Sequence, residues 1–115
     1  MGFHLVHKAT AATPGRMVDQ LAKGGAVLVE FSERDAPTCR LEEPVLDKVL
    51  RRYADRMRVL QTDVESSPAD AAAYSIEAVP TFVLFLDGVE KMRLVGYQSA
   101  DELTGALDAA LPPSG

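Results

Sequence analysis

The sequence predicts an α/β fold: a mixed sheet with helices on both faces. Three observations predict it. Short apolar runs rich in Val, Leu and Phe alternate with helix-like segments through the first two thirds of the chain. That strand–helix–strand order implies parallel neighbours joined by right-handed crossovers. Asp87-Gly88 then separates two β-rich runs, the signal of a tight antiparallel hairpin. A capped apolar helix closes the chain, so the order is β-α-β-α-β-α-β-β-α.

Each element has its own warrant. "FHLVHK" (Phe3 to Lys8) mixes apolar and polar residues and fits an edge strand. "TPGRMVDQLAKGG" reads as a short helix, with Thr13 as cap, Pro14 in the first turn and Gly24 at the exit. Its apolar face is Met17, Val18, Leu21 and Ala22. "AVLVEF" (Ala26 to Phe31) is β-rich and short enough for a buried strand. Helix pattern resumes from Pro37 to Tyr53, where Leu41, Val45, Val49 and Tyr53 recur every four residues. Pro44 bends this helix, because it lacks an N–H and crowds the preceding turn.

"MRVLQTDV" (Met57 to Val64) is the third strand. "SPADAAAYSI" supplies a cap, an opening proline and an alanine-rich helix. "PTFVLFL" is the most strand-like run, and "VEKMRLVG" returns antiparallel to it. In "SADELTGALDAAL", Ser99 and Glu102 have capping-box spacing, and Leu103, Ala106, Leu107 and Ala110 share one side. "PPSG" (residues 112–115) reads as a flexible tail. Neither repeat nor linker interrupts the pattern, so the expectation is a single domain over residues 1–115.

Composition narrows the function. Hydrophobic residues make up 47% of the 115, enough for a core. A formal charge of −5 disfavours nucleic acid and anionic membranes as partners. No apolar run approaches the roughly 18 residues of a spanning helix. The start "MGFHLVHKAT" shows no basic leader and long apolar core, and Val6 stands where a myristoylation signal has Ser or Thr. With one cysteine there is no internal disulfide. A monomeric cytoplasmic protein without cofactor is the expectation. His4 and His7 share no metal-binding register, so they are read as surface residues.

Two stretches carry a family resemblance. "VLVEFSERDAPTCRLEEPVLDKVLRRYADRMRVLQTDVE" is similar in spacing to the strand, active-site loop and kinked helix of the thioredoxin family. "YSIEAVPTFVLFLDGVEKMRLVG" resembles the segment bearing that family's cis-proline and closing hairpin. The resemblance covers nearly the whole chain. It implies the thioredoxin fold: a mixed five-stranded sheet, three parallel strands plus a C-terminal antiparallel hairpin, flanked by four helices.

The resemblance also implies site residues and exposes departures. The family's C-x-x-C window is Ala36-Pro37-Thr38-Cys39. Ala36 aligns with the attacking cysteine and Cys39 with the resolving one. Asp35 and Ser32 stand where tryptophans are usual. Glu30 aligns with the buried acid and Gln61 with its lysine neighbour. Pro80, between Val79 and Thr81, aligns with the cis-proline, and Gly96 with the glycine of the last strand. The substrate-binding set is therefore Asp35, Pro37, Thr38, Val79, Pro80, Thr81 and Gly96.

Thiol–disulfide exchange needs a thiolate to attack and a second thiol to release the mixed disulfide. Alanine cannot attack, so a dithiol cycle within one molecule is excluded for this chain. The first reading is a protein of thiol–disulfide exchange and redox homeostasis with catalysis disabled at position 36. A cysteine there would complete "D-C-P-T-C-R", and only such a dithiol form calls for a thioredoxin-reductase-like reductant. The second is a non-catalytic binding or chaperone-like module holding a protein or peptide at the Ala36–Pro80 surface. The third is a monothiol protein reacting through Cys39, its thiolate favoured by Arg34 and Arg40. Against it stands a bland reading of Cys39 as a small buried packing residue. Glu30 likewise reads either as a proton carrier or as a structural acid bonded to Gln61.

Overall fold

The computed structural model describes residues 3–5, 8–12 and 14–113. The expected cap Thr13, His7 and residues 114–115 lie outside the described residues. Six strands form one mixed sheet in the order β2-β1-β4-β3-β5-β6. They are β1 (Phe3–Leu5), β2 (Lys8–Ala12), β3 (Ala26–Ser32), β4 (Met57–Asp63), β5 (Thr81–Leu86) and β6 (Val89–Val95). The helices are α1 (Pro14–Ala22), α2 (Pro37–Leu41), α3 (Glu43–Arg52), α4 (Pro68–Ala73) and α5 (Ala100–Ala110).

The N-terminal expectation is corrected. The segment forms two short strands, not one, so the sheet has six strands and not five. β1 runs antiparallel to both β2 and β4, and the edge is β2, not Phe3–Lys8. An antiparallel pair needs only a short connection, whereas a parallel one needs a dozen residues or more. Since β3 and β4 are parallel, β2 points the same way as both. The β2–α1–β3 unit therefore supplies the crossover that the sequence suggested for the first strand.

Alternation along β3 sorts the core. Val27, Val29 and Phe31 meet Met17 and Leu21 of α1, with Leu60, Val83 and Phe85. Tyr74 seals this face, its ring centroid 5.4 Å from that of Phe85 and 6.1 Å from that of Phe31. Leu28 faces the other way, toward Leu46, Val49 and Tyr53 of the α3 end and Leu103 and Leu107 of α5. Each such side chain stabilises the fold by about 1.5–3 kcal/mol. Among the described side chains of α1, Met17 and Leu21 are buried while Val18 and Ala22 are exposed.

The long helix breaks at Glu42. α2 ends, Glu42 keeps helical dihedrals, and α3 restarts with Pro44 in its first turn. Without an N–H on Pro44, the Arg40 carbonyl has no helical donor four residues on. The break also shifts the phase. Leu41 is 61% exposed, and the buried stripe runs Cys39, Glu42, Leu46, Val49 and Tyr53. Tyr53 is anchored by its hydroxyl, which donates to Asp108 Oδ1 at 2.5 Å.

The remaining signals fold locally as written. Asp87 (φ 51°) and Gly88 (φ 82°) both sit in the left-handed region that a tight hairpin turn demands. Ser99 and Glu102 form the reciprocal capping box. Ser67 occupies the N-cap of α4, but its side chain makes no capping bond. Pro112 of the expected tail accepts a hydrogen bond from Arg56 through its carbonyl.

Candidate functional site

The site lies where β3 ends. Phe31 pairs with Thr81 and Ser32 with Asp63, so the chain leaving β3 emerges beside the start of β5. Thr81 pairs in turn with Val95, and the Gly96 N–H donates to the Pro80 carbonyl at 2.8 Å. The register thus gathers residues 33–36, Pro80 and Gly96 at one end of the sheet.

Ala36 is the N-cap of α2, with extended dihedrals (φ −72°, ψ 126°). Its carbonyl accepts from the Cys39 N–H at 3.0 Å and the Arg40 N–H at 3.2 Å. Its own N–H donates to the Glu33 carbonyl at 3.0 Å. The backbone therefore presents residue 36 at the mouth of the helix, half-buried, beside exposed Pro37 and Thr38. A methyl group offers neither a lone pair nor a proton there.

Cys39 lies one turn further in and is 4% exposed. Its sulfur accepts from the Glu33 N–H at 3.4 Å. Burial pushes the thiol pKa up; the Glu33 N–H opposes this, and the Glu30, Glu33 and Glu42 carboxylates reinforce it. The expected help from Arg34 and Arg40 is corrected. The Arg40 guanidinium turns outward to Asp35 at 3.5 Å, both side chains well exposed, and Arg34 is exposed as well. The surroundings of the sulfur favour the neutral thiol.

Glu30 is fully buried, on the same sheet face as Leu28. Its Oε1 accepts from Gln61 Nε2 at 2.7 Å, while Oε2 has no partner among the described residues. Burial pushes its pKa up to about 8, more than the Gln61 bond lowers it, with Glu42 and Glu43 adding to the rise. The acid is placed beneath the helix mouth with no cation paired to it among the described residues.

Opposite stands the Pro80 edge. The Val79–Pro80 peptide bond is cis. Pro80 and Thr81 are buried and Val79 is half-buried. The Thr81 hydroxyl donates to the Ala78 carbonyl at 2.6 Å. Gly96 holds φ 93°, where a side chain is strained, and beyond its chain neighbours no heavy atom of the described residues lies within 4 Å of where its Cβ would be. Val95 and Tyr97 flank this open space as exposed apolar residues.

Sequence reasoning missed Glu42 and Gln98. Glu42 is fully buried at the α2–α3 break. Its Oε1 accepts from the Gln98 N–H at 2.5 Å, and the Gln98 side chain donates to the Gly96 carbonyl at 3.1 Å. Burial pushes the Glu42 pKa up to about 7 against the lowering effect of the Gln98 bond, with Glu102 adding to the rise. The signal was available: the spacing from Cys39 to Tyr53 places one charged residue, Glu42, inside an otherwise apolar stripe. Among the described residues, no group of three or more His, Cys, Asp or Glu is arranged to hold a metal ion. No helix of these residues is long and apolar enough to cross a membrane.

A mixed sheet with a kinked helix over its centre, a cysteine one turn inside that helix and a cis-proline at the same sheet end define a thioredoxin-fold protein. Comparisons with known proteins agree. The thioredoxin family model matches residues 8–109. Thioredoxin from Staphylococcus aureus is 31% identical over 93 residues, covering 81% of this chain and 89% of that protein. Among solved structures, a mutant thioredoxin from Halobacterium salinarum superposes with a TM-score of 0.78 at 26% identity, covering 92% of this chain and 100% of that one. Mitochondrial thioredoxin 3 from Saccharomyces cerevisiae, in oxidized form, gives 0.76 at 24% identity, covering 85% and 92%; this likeness speaks for the fold. The chain belongs to the thioredoxin family.

Proposed function

We propose that this chain serves thiol–disulfide homeostasis as a thioredoxin-family protein whose dithiol catalysis is disabled at position 36. The surface it keeps holds an extended protein or peptide segment along Val79, Pro80, Thr81 and Gly96, rimmed by Asp35, Pro37 and Thr38. One observation carries the reading: the chain's only sulfur outside methionine is buried as a neutral thiol behind an alanine, while the facing edge stays open beside Gly96. Exchange needs an accessible thiolate, and this arrangement provides none. Peptide holding needs only shape and backbone groups.

The monothiol reading finds no support in these surroundings, because burial and three nearby carboxylates work against a Cys39 thiolate. Glu30 acts as a structural acid, with no attacking thiol to serve. The reading carries a single domain over residues 1–115, acting as a cytoplasmic monomer without cofactor, nucleic acid or membrane. A reductase-like reductant enters only where a dithiol is present.

The test uses a fluorescein-labelled, cysteine-free decapeptide of alternating apolar and polar residues, with binding read by anisotropy. The expected result is saturable binding, weakened by Gly96→Val. No binding, or binding indifferent to Gly96→Val, contradicts the assignment of the surface.

A further inference from the structure

Glu42 is a buried group with no part in thiol chemistry. Glu42 is fully buried at the helix break, and one of its oxygens has no partner among the described residues. None of the ion pairs among those residues, Arg40–Asp35, Arg52–Asp108 and Arg93–Glu90, involves it. An apolar side chain would fill that place in the stripe at less cost, since a buried carboxylate without a compensating partner is strongly unfavourable. What Glu42 does provide is an acceptor for the loop between β6 and α5. From there a chain of bonds runs outward: Gln98 N–H to Glu42 Oε1, Gln98 Nε2 to the Gly96 carbonyl, and Gly96 N–H to the Pro80 carbonyl.

We propose that Glu42 is a positioning residue for the peptide edge: through Gln98 it holds the Gly96–Gln98 segment against Pro80, and its protonation state sets how well that edge binds an extended chain. The inference rests on the proposed peptide-holding role of that edge. Two effects compete when Glu42 ionises. A charged carboxylate accepts the Gln98 N–H more strongly than a neutral one. Against this stands the cost of a buried charge, which is larger.

Glu102 adds to that cost, and the other groups around Glu42 do not offset it. Glu102 faces it from α5, Glu30 from β3 and the Cys39 thiol from α2. All are acids or a neutral thiol, and none offers compensation. The neutral form therefore fits the packed arrangement. Ionisation draws the side chain toward water, releases Gln98 and loosens the Gly96 wall. Peptide affinity is then highest below the Glu42 transition and falls as pH rises through about 7.

The experiment measures affinity for the labelled decapeptide from about pH 6 to about pH 9, alongside the amide NMR shifts of Gly96 and Gln98 in the free protein. Parent, Glu42→Gln, Glu42→Leu and Glu30→Gln are compared. The parent is expected to lose affinity several-fold across the range, with a matching step in both amides. Glu30→Gln keeps the step. Glu42→Gln, which retains an acceptor oxygen, binds as the acidic parent does at every pH. Glu42→Leu, which fills the stripe but gives Gln98 no acceptor, folds more stably at alkaline pH yet binds about tenfold more weakly, the effect of one lost hydrogen bond.

Peptide affinity that is flat with pH in the parent overturns the inference while leaving the peptide edge standing. A step that survives in Glu42→Gln, or full affinity in Glu42→Leu, overturns it too. Failure of every form to bind at any pH contradicts the peptide edge itself and removes the inference with it.

Discussion

The mouth of α2 and the Pro80–Gly96 edge close the same end of the sheet, yet they differ in what each retains. At the mouth, the side-chain chemistry is gone: a methyl group at Ala36, a buried neutral thiol at Cys39, and a solvated Asp35–Arg40 pair outside. At the edge, the backbone arrangement is complete: a cis peptide before Pro80, a bond from the Gly96 N–H to the Pro80 carbonyl, and a glycine in the left-handed region. Shape here rests on strand register, Pro and Gly. Reactivity rests on one side chain, and it can be lost without disturbing the shape.

The largest expected effect that sharpens this contrast is at Cys39. Its alkylation in the native protein should be slower than in the unfolded chain by at least about a hundredfold. Rapid native labelling would return a reactive thiol to the mouth and break the contrast.

Next in size is the pH dependence of stability. Glu30 titrates near 8 in the fold against an ordinary value of 4.5, so the folded state holds this proton more tightly than the unfolded one. Its contribution is therefore fully present below about pH 4.5 and is lost as pH rises to about 8. Glu42 adds a similar loss that ends near 7. In urea titrations, Glu30→Gln should flatten the decline by on the order of a few kcal/mol. An unchanged slope would mean that the acid beneath the mouth is solvated.

Smaller still is the effect of Gly96→Val on stability, about 1–2 kcal/mol from left-handed strain alone. No destabilisation at all would mean that the edge backbone is not held as described. Smallest is Arg40→Ala, expected to shift stability by less than about 0.5 kcal/mol, because the pair with Asp35 is exposed. A larger loss would make the outer rim a structural part of the mouth.

Much of this contrast was legible in the sequence, for physical reasons. Asp87-Gly88, Ser99 with Glu102, and Pro44 act within a few residues of themselves, so their local outcomes follow from local chemistry. The window Ala36–Cys39 was legible because a missing nucleophile is a fact of composition. Direction and phase were harder. The antiparallel course of β1 depends on β4, more than fifty residues away. Leu41 fits the four-residue repeat but falls outside the core, because the break at Glu42 re-phases the helix. The charge of Glu42 within the apolar stripe was legible, but its task was not, since its partner Gln98 comes from a distant loop.

The central claim is that position 36 alone separates this chain from dithiol chemistry. The direct measurement is insulin disulfide reduction driven by dithiothreitol, with the parent and Ala36→Cys assayed side by side. The parent is expected to match the protein-free blank, and Ala36→Cys to reduce insulin catalytically. Catalysis by the parent, or none by a folded Ala36→Cys protein, would contradict it.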